Sequence, residues 1–196
     1  MSLPVDADRR DETRIELAAP ALEKSMDHAH RQQLEQQYEG LWREHGPGLS
    51  RLVASYESSL HAREDLLQDI RLAIWRALPD FRGECSMRTF VYRIAHNRSL
   101  THIWRRRSAF PQAEESYEVV DPGPSPEVSI IRKMDHSKLM HAIRGLPLHY
   151  RQVITMALEE LPQTEIAAIL GISENNVAVR LNRARNLLRE KLGGKT

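Results

Sequence analysis

Residues 162–188, PQTEIAAILGISENNVAVRLNRARNLL, constrain this chain more than any other stretch. They read as two short helices joined by a tight turn, the second rich in arginine. Ile166, Ala167, Leu170, Ile172, Val177 and Leu181 supply apolar contacts at helical spacing. Ala167 is small, as a close helix crossing requires. Gly171 follows the first helix, where a left-handed residue ends it at little cost. Ser173 stands where a hydroxyl can cap the second helix. This is the grammar of a helix-turn-helix, whose second helix enters the DNA major groove. The other reading of the same residues is an αα-hairpin in a helical core.

Charge distribution favours nucleic acid. The net charge is only +1, but the charges are segregated. Between Cys85 and Ala113 lie six arginines and no acid, and between Glu174 and Thr196 six basic residues stand against two acids. Such segregation is the electrostatic footprint of a nucleic-acid binder. One cysteine, Cys85, rules out an intrachain disulfide and fits a reducing compartment. No apolar run approaches the roughly 18 residues a membrane span needs. The start, MSLPVDADRRDETRIE, has no apolar signal core. A cytoplasmic location without membrane insertion is expected.

The 196 residues divide by composition. Residues 1–33 are polar and weakly periodic, and read as a flexible extension in which Ile15, Leu17, Ala18, Leu22 and Met26 could form a short helix on a partner. A first domain spans 34–108. Leu34, Tyr38, Leu41 and Trp42 make one helical stripe, and Leu49, Leu52, Val53 and Tyr56 another, with Gly46-Pro47-Gly48 interrupting them. Leu67, Ile70, Ile74, Ala77 and Leu78 form an apolar face closed by Pro79. Met87, Phe90, Val91, Ile94 and Ala95 begin a third helix that runs into Arg105-Arg106-Arg107.

Residues 109–133 read as a linker. Its core, Pro111 to Glu127, holds four prolines, five acids (Glu114, Glu115, Glu118, Asp121, Glu127) and no base. A second domain spans 134–194, opening with Leu139, Met140, Ile143 and Leu146. Tyr150, Val153, Ile154, Ala157, Leu158 and Leu161 give a periodic helix before the helix-turn-helix. The expected fold is all-α, two small helical domains joined by a flexible acidic linker.

The order of these features resembles a bacterial RNA polymerase sigma factor of the extracytoplasmic-function type, in the sigma-70 family. Three segments carry the resemblance. Arg63-Glu64-Asp65-Leu66-Leu67-Gln68-Asp69-Ile70, continuing to Ile74-Trp75-Arg76-Ala77-Leu78, is similar to region 2.2. Phe81-Arg82-Gly83 with Arg88-Thr89-Phe90-Val91-Tyr92-Arg93-Ile94-Ala95-His96-Asn97 is similar to regions 2.3 and 2.4. Leu146-Pro147, Tyr150-Arg151, Glu165-Ile166-Ala167, Leu170-Gly171-Ile172-Ser173 and Arg180-Leu181 with Arg183-Ala184-Arg185 are similar to region 4.

The resemblance implies a sigma factor that binds core RNA polymerase and directs sequence-specific promoter recognition and DNA melting. Glu64, Asp65, Gln68 and Asp69 would dock on the β′ clamp helices, with the β flap a second polymerase contact. Arg82, Arg88, Arg93, Asn97 and Arg98 would hold the −10 element, Asn97 against a flipped base, in a pocket shaped by the loop 80–87. Asn175, Asn176, Ala178, Val179, Arg180, Asn182 and Arg183 would face the −35 duplex. Many members carry polar or basic residues at the positions of Ala178 and Val179, so apolar contact with thymine methyl groups is the replacement open to this chain. Promoter DNA and core polymerase are the expected partners, and an anti-sigma factor is a further one that the resemblance admits. The linker acids could mimic an RNA backbone or form a plain spacer.

Two rival readings stand beside it. One is a helix-turn-helix regulator with a helical sensor or dimerisation domain, which binds DNA without polymerase. The other is an adaptor that binds polymerase or a sigma inhibitor without reading a promoter, kept open by Ala178 and Val179. An enzyme is not expected: no P-loop, Gly-rich dinucleotide turn or Cys/His zinc spacing occurs. His28-x-His30 reads as solvated histidines. No catalytic residue, metal, cofactor or small-molecule substrate is expected.

Overall fold

The computed structural model describes the backbone of residues 9–109 and 127–193, and the side chains of residues 31–106, 108 and 136–193. Its elements are α1 (Arg9–Tyr56), α2 (Leu60–Ala77), a 3-10 turn (Leu78–Asp80), α3 (Met87–Ala109), α4 (Glu127–Arg144), α5 (Leu148–Leu158), α6 (Gln163–Leu170) and α7 (Glu174–Lys191). No strand occurs among the described residues. Residues 1–43 form one compact unit and residues 44–196 another.

Three sequence expectations need correction. The segment 1–33 is helical from Arg9 onward rather than irregular. α1 also runs straight through Gly46-Pro47-Gly48. Pro47 removes one helical donor, but tertiary packing overrides the local preference. Gly46, Gly48, Leu49, Leu52 and Val53 are all buried, and the Ser50 hydroxyl donates to the Gly46 carbonyl at 3.0 Å. Finally, α4 begins at Glu127, so the last residues of the expected linker are helical. Glu114, Glu115, Glu118 and Asp121 lie outside the described residues.

In α2, Ser59 caps the N-terminus by accepting from the Ala62 amide at 3.5 Å. Leu66, Ile70, Ala73 and Ile74 are buried, whereas Leu67 is only half-buried. Pro79 ends α2 in the 3-10 turn. At the start of α3 the Ser86 hydroxyl accepts from the Thr89 amide at 3.0 Å. Val91, Tyr92, Ala95, His96 and Ser99 form its inner face.

The end of α1 is locked to α3 by a buried carboxylate. Glu57, 1% exposed, accepts at Oε2 from His102 Nε2 (3.0 Å) and from Arg106 Nη1, and at Oε1 from the Ser59 amide (2.8 Å). Burial pushes its pKa up, but these donors outweigh it and bring the group down to about 2.

The C-terminal helices share one core. Val153, Ile154 and Met156 of α5, Ile166, Ala167 and Ile169 of α6, and Val177, Leu181, Ala184 and Leu188 of α7 are buried. Fully burying an aliphatic side chain of this size contributes about 1.5–3 kcal/mol. Leu158, expected on the inner stripe of α5, is instead 51% exposed. Arg151 is buried and donates to the carbonyls of Arg144 and, at 3.1 Å, Leu146, so it closes the C-terminus of α4.

Candidate nucleic-acid and polymerase-binding surfaces

The turn between α6 and α7 is built as the sequence implies. Gly171 sits at φ 66° and ψ 35°, and its amide donates to the Ala167 carbonyl. Such a left-handed residue carries a penalty for any side chain. Ser173 caps α7, its hydroxyl accepting from the Asn176 amide at 3.2 Å. Ile166 and Val177 are fully buried across the turn.

With Val177, Leu181, Ala184 and Leu188 turned inward, α7 presents Asn175, Asn176, Val179, Asn182 and Arg183 outward, all exposed. Ala178 and Arg180 are half-buried at its margin. Arg180 Nε donates to Asn176 Oδ1 at 2.8 Å. That bond matters for recognition, because an asparagine reads adenine with its carbonyl and amide together. Val179 is 43% exposed, an apolar group on an otherwise polar face.

The expected −10 residues follow α3 and the loop before it. Phe81 and Phe90 pack with ring centroids 4.7 Å apart at 47°. Together with Arg82, Cys85 and Arg93 they line a recess. Arg82, Arg93, Asn97 and Arg98 are exposed and Arg88 is half-buried. Arg93 and Asn97 lie one helical turn apart. Trp104, two turns further on the same side, is 58% exposed. Helical register from Arg93 and Asn97 is the sequence signal that singles out Trp104.

Two of these arginines are engaged within the chain. Arg88 Nη2 donates to the Glu159 carbonyl, and Arg93 Nη2 to the Ala168 carbonyl at 3.3 Å. Arg51 of α1, which sequence reasoning did not single out, holds the Glu159 carboxylate in a fork: Nε to Oε1 at 2.7 Å and Nη2 to Oε2 at 2.6 Å. Tyr92 stands beside this pair, and burial followed by the Glu159 charge pushes its hydroxyl up to about 12.

The acidic face of α2 is open. Glu64, Asp65, Gln68 and Asp69 are all exposed, on the side opposite Leu66, Ile70 and Ile74. Leu72, 46% exposed, continues this face and offers it an apolar anchor. The missed signal was its spacing, one turn on from Gln68 and Asp69. No cluster of three metal-ligating side chains occurs among the described residues, and no helix there is long and apolar enough to cross a membrane.

Comparison with known proteins assigns both halves. The family model described as sigma-70 region 2 matches residues 41–109, and that described as sigma-70, region 4 matches residues 136–188. Together they cover more than half of the chain. The RNA polymerase sigma factor CnrH of Cupriavidus metallidurans is 29% identical over 150 residues, spanning 72% of this chain and 78% of that protein. The ECF RNA polymerase sigma factor SigM of Mycobacterium tuberculosis is 29% identical over 159 residues, spanning 80% and 77%. Among solved structures, CnrH in complex with the cytosolic domain of CnrY matches with a TM-score of 0.62 at 24% identity, covering 83% of this chain and 91% of that one. The sigma factor RpoE from Bartonella quintana, in complex with the anti-sigma factor NepR, matches with a TM-score of 0.68 at 19% identity, covering 82% and 99%.

Proposed function

The chain belongs to the sigma-70 family of RNA polymerase sigma factors, of the extracytoplasmic-function type, and from that premise we propose which of its residues do the work. As a sigma factor it binds core RNA polymerase and directs promoter recognition. In our reading region 2 spans 34–108, the linker 109–133 and region 4 134–194. Glu64, Asp65, Gln68 and Asp69, with Leu72 beside them, dock on the β′ clamp helices; region 4 meets the β flap. Arg82, Arg88, Arg93, Asn97 and Arg98 hold the melted −10 strand, and the recess of Phe81, Phe90 and Arg93 receives an extruded base. Trp104 offers a stacking surface in line with Asn97. An aromatic face under a base contributes about 1–3 kcal/mol.

Asn175, Asn176, Asn182 and Arg183 read the −35 duplex, while Ala178 and Val179 meet thymine methyls. Arg180 engages the Asn176 carbonyl, which leaves Asn176 chiefly its amide N–H for the duplex. The protein acts in the cytoplasm as a regulatory subunit without a catalytic centre, and an anti-sigma factor is a further partner, as it is for the Bartonella RpoE.

The observation that carries this reading is the face of α7: polar or apolar groups suited to base edges stand exposed on a helix whose other side is buried. The experiment is run-off transcription with purified chain and core polymerase on a promoter library. The expected result is co-migration with core enzyme and initiation from a defined sequence class. Tight sequence-specific duplex binding by the chain alone, with no polymerase association, would instead establish a free-standing regulator.

A further inference from the structure

We propose that Arg51 and Arg88 form a phosphate-binding cleft for the −10 strand, and that Glu159 of region 4 plugs this cleft while the chain is free. The inference rests on the sigma-factor reading above. The cleft is built. The two parallel bonds from Arg51 Nε and Nη2 to Glu159, at 2.7 and 2.6 Å, are the fork that a guanidinium offers to a carboxylate or a phosphate alike. The Glu159 side chain is 6% exposed and so is seated in a site rather than resting on a surface. The floor is Gly48: a Cβ there would collide with the Tyr92 hydroxyl and come within 2.8 Å of Glu159 Oε2. An anion can approach the backbone of α1 this closely only over a glycine.

The cleft is continuous with the −10 surface. Arg88 stands on α3, on the helix that carries Arg93 and Asn97, and donates to the main chain of the same Glu159. Region 4 covers that surface at two further points, where Ser86 Oγ donates to Glu165 Oε1 at 2.8 Å and Arg93 to the Ala168 carbonyl, and it also reaches α1, where Arg144 donates to the Ala54 carbonyl at 3.0 Å. The Glu159 carboxylate therefore competes with a DNA phosphate for the Arg51 guanidinium, while its main-chain carbonyl holds the neighbouring Arg88. Arg51 is 55% exposed, and partly solvated ion pairs are weak, so the plug can leave when polymerase and the −35 duplex draw region 4 away.

The test uses the full chain and a labelled oligothymidylate strand of about 20 nucleotides, with affinity measured by anisotropy across a salt series. Glu159→Gln should tighten binding roughly fivefold or more and steepen the salt dependence by about one phosphate. Glu160→Gln, the same charge change one residue outside the cleft, should do neither. Adding Arg51→Gln to Glu159→Gln should return the salt slope to that of the parent. The proposal is overturned if Glu159→Gln behaves like Glu160→Gln, or if the double variant keeps the steep slope. Should Glu159→Gln disturb folding by circular dichroism, Arg51→Gln in the promoter complex with core enzyme decides: a slope shallower by about one supports the cleft, and an unchanged slope overturns it. Run-off transcription by the parent chain is scored separately. Its failure would sink the sigma-factor reading, whereas initiation with no oligonucleotide effect would sink only the cleft.

Discussion

The Glu57 carboxylate accepts a hydrogen bond from His102 Nε2 at 3.0 Å, so a residue 1% exposed at the end of α1 fixes the C-terminal third of α3. That third carries the exposed Trp104 and Arg105. Glu57→Gln leaves the donors of His102 and Arg106 facing a neutral amide; because the Arg106 side chain is 53% exposed and stays hydrated, the cost is that of charged hydrogen bonds, about 1.5–3 kcal/mol, rather than that of an orphaned buried charge. Its pKa is held at about 2, below its ordinary value of 4.5. A depressed carboxylate stabilises the fold above its ordinary pKa, and that contribution is lost as pH falls through the folded value. Urea unfolding of the parent should therefore show stability declining from pH 4.5 toward 2, and Glu57→Gln should flatten that part of the profile.

A second acid-sensitive group acts in a higher window. His96 is 4% exposed, with Nδ1 3.1 Å from the Tyr56 hydroxyl. Burial lowers its pKa from 6.5 to about 4. The unfolded chain binds the proton first, so stability is full above 6.5 and drains away as pH drops toward 4. At 1.36 kcal/mol per pKa unit the loss is of order 3 kcal/mol. In thermal melts between pH 7 and 4, His96→Gln should remove most of this slope. An undiminished slope would assign the acid sensitivity to another group.

Gly48→Ala is expected to destabilise the chain, although alanine is the better helix former by about 1 kcal/mol. The new methyl would collide with the Tyr92 hydroxyl and the Glu159 carboxylate, and overpacking of this kind costs about 1–3 kcal/mol. Chemical denaturation measures the net sign directly; a stabilised variant would mean that the Tyr92 contact yields without cost.

This glycine also shows where sequence reasoning stops. Gly46-Pro47-Gly48 has the local chemistry of a break, and only the packing of α1 against residues far along the chain keeps it helical. The same limit hid Arg51 and Glu159, which bond across 108 positions, and Glu57 with His102, 45 apart. No periodicity reports such pairs. By contrast α2, α3 and the turn at Gly171 were legible, because apolar spacing, Pro79 and Ser173 act within a few residues. On α7 the apolar spacing of Val177 and Leu181 is enough to turn Asn175, Asn176, Val179, Asn182 and Arg183 outward, but it does not show that Ala178 and Arg180 are half-buried at the margin. Periodicity located the α2 core less well: Leu66 rather than Leu67 is the buried neighbour.

Docking on polymerase should respond to charge on α2. Asp65 is exposed in the acidic face and meets only His61 Nε2, at 3.8 Å, among the ion pairs of the described residues. Asp65→Arg should weaken affinity for core enzyme by roughly tenfold or more, since like charges brought together at an interface cost several kcal/mol. The helical circular dichroism spectrum should not change. Leu72→Ala should weaken docking with far less dependence on salt. Unchanged affinity in both variants, measured by fluorescence titration with core polymerase, would move the docking surface off this helix.

In the recognition helix the structure separates two asparagines that the sequence treats alike. Asn182 is exposed in mid-face, whereas the carbonyl of Asn176 already accepts from Arg180 at 2.8 Å. A bidentate contact to adenine needs both amide atoms and is worth about 1–3 kcal/mol of discrimination. Asn182→Ala should therefore relax preference at one −35 position by that amount. Asn176→Ala should have a smaller effect on preference, because it removes a side chain whose acceptor is already used. Val179→Ala should lower preference for thymine at its contact without altering the salt slope, since no phosphate contact is lost. Ala178→Arg introduces a long donor at the margin of the face and should shift the selected −35 sequence. Promoter-library selection at fixed salt reads all four. Selection motifs identical across Asn182→Ala, Val179→Ala and Ala178→Arg would place this face of α7 away from the major groove.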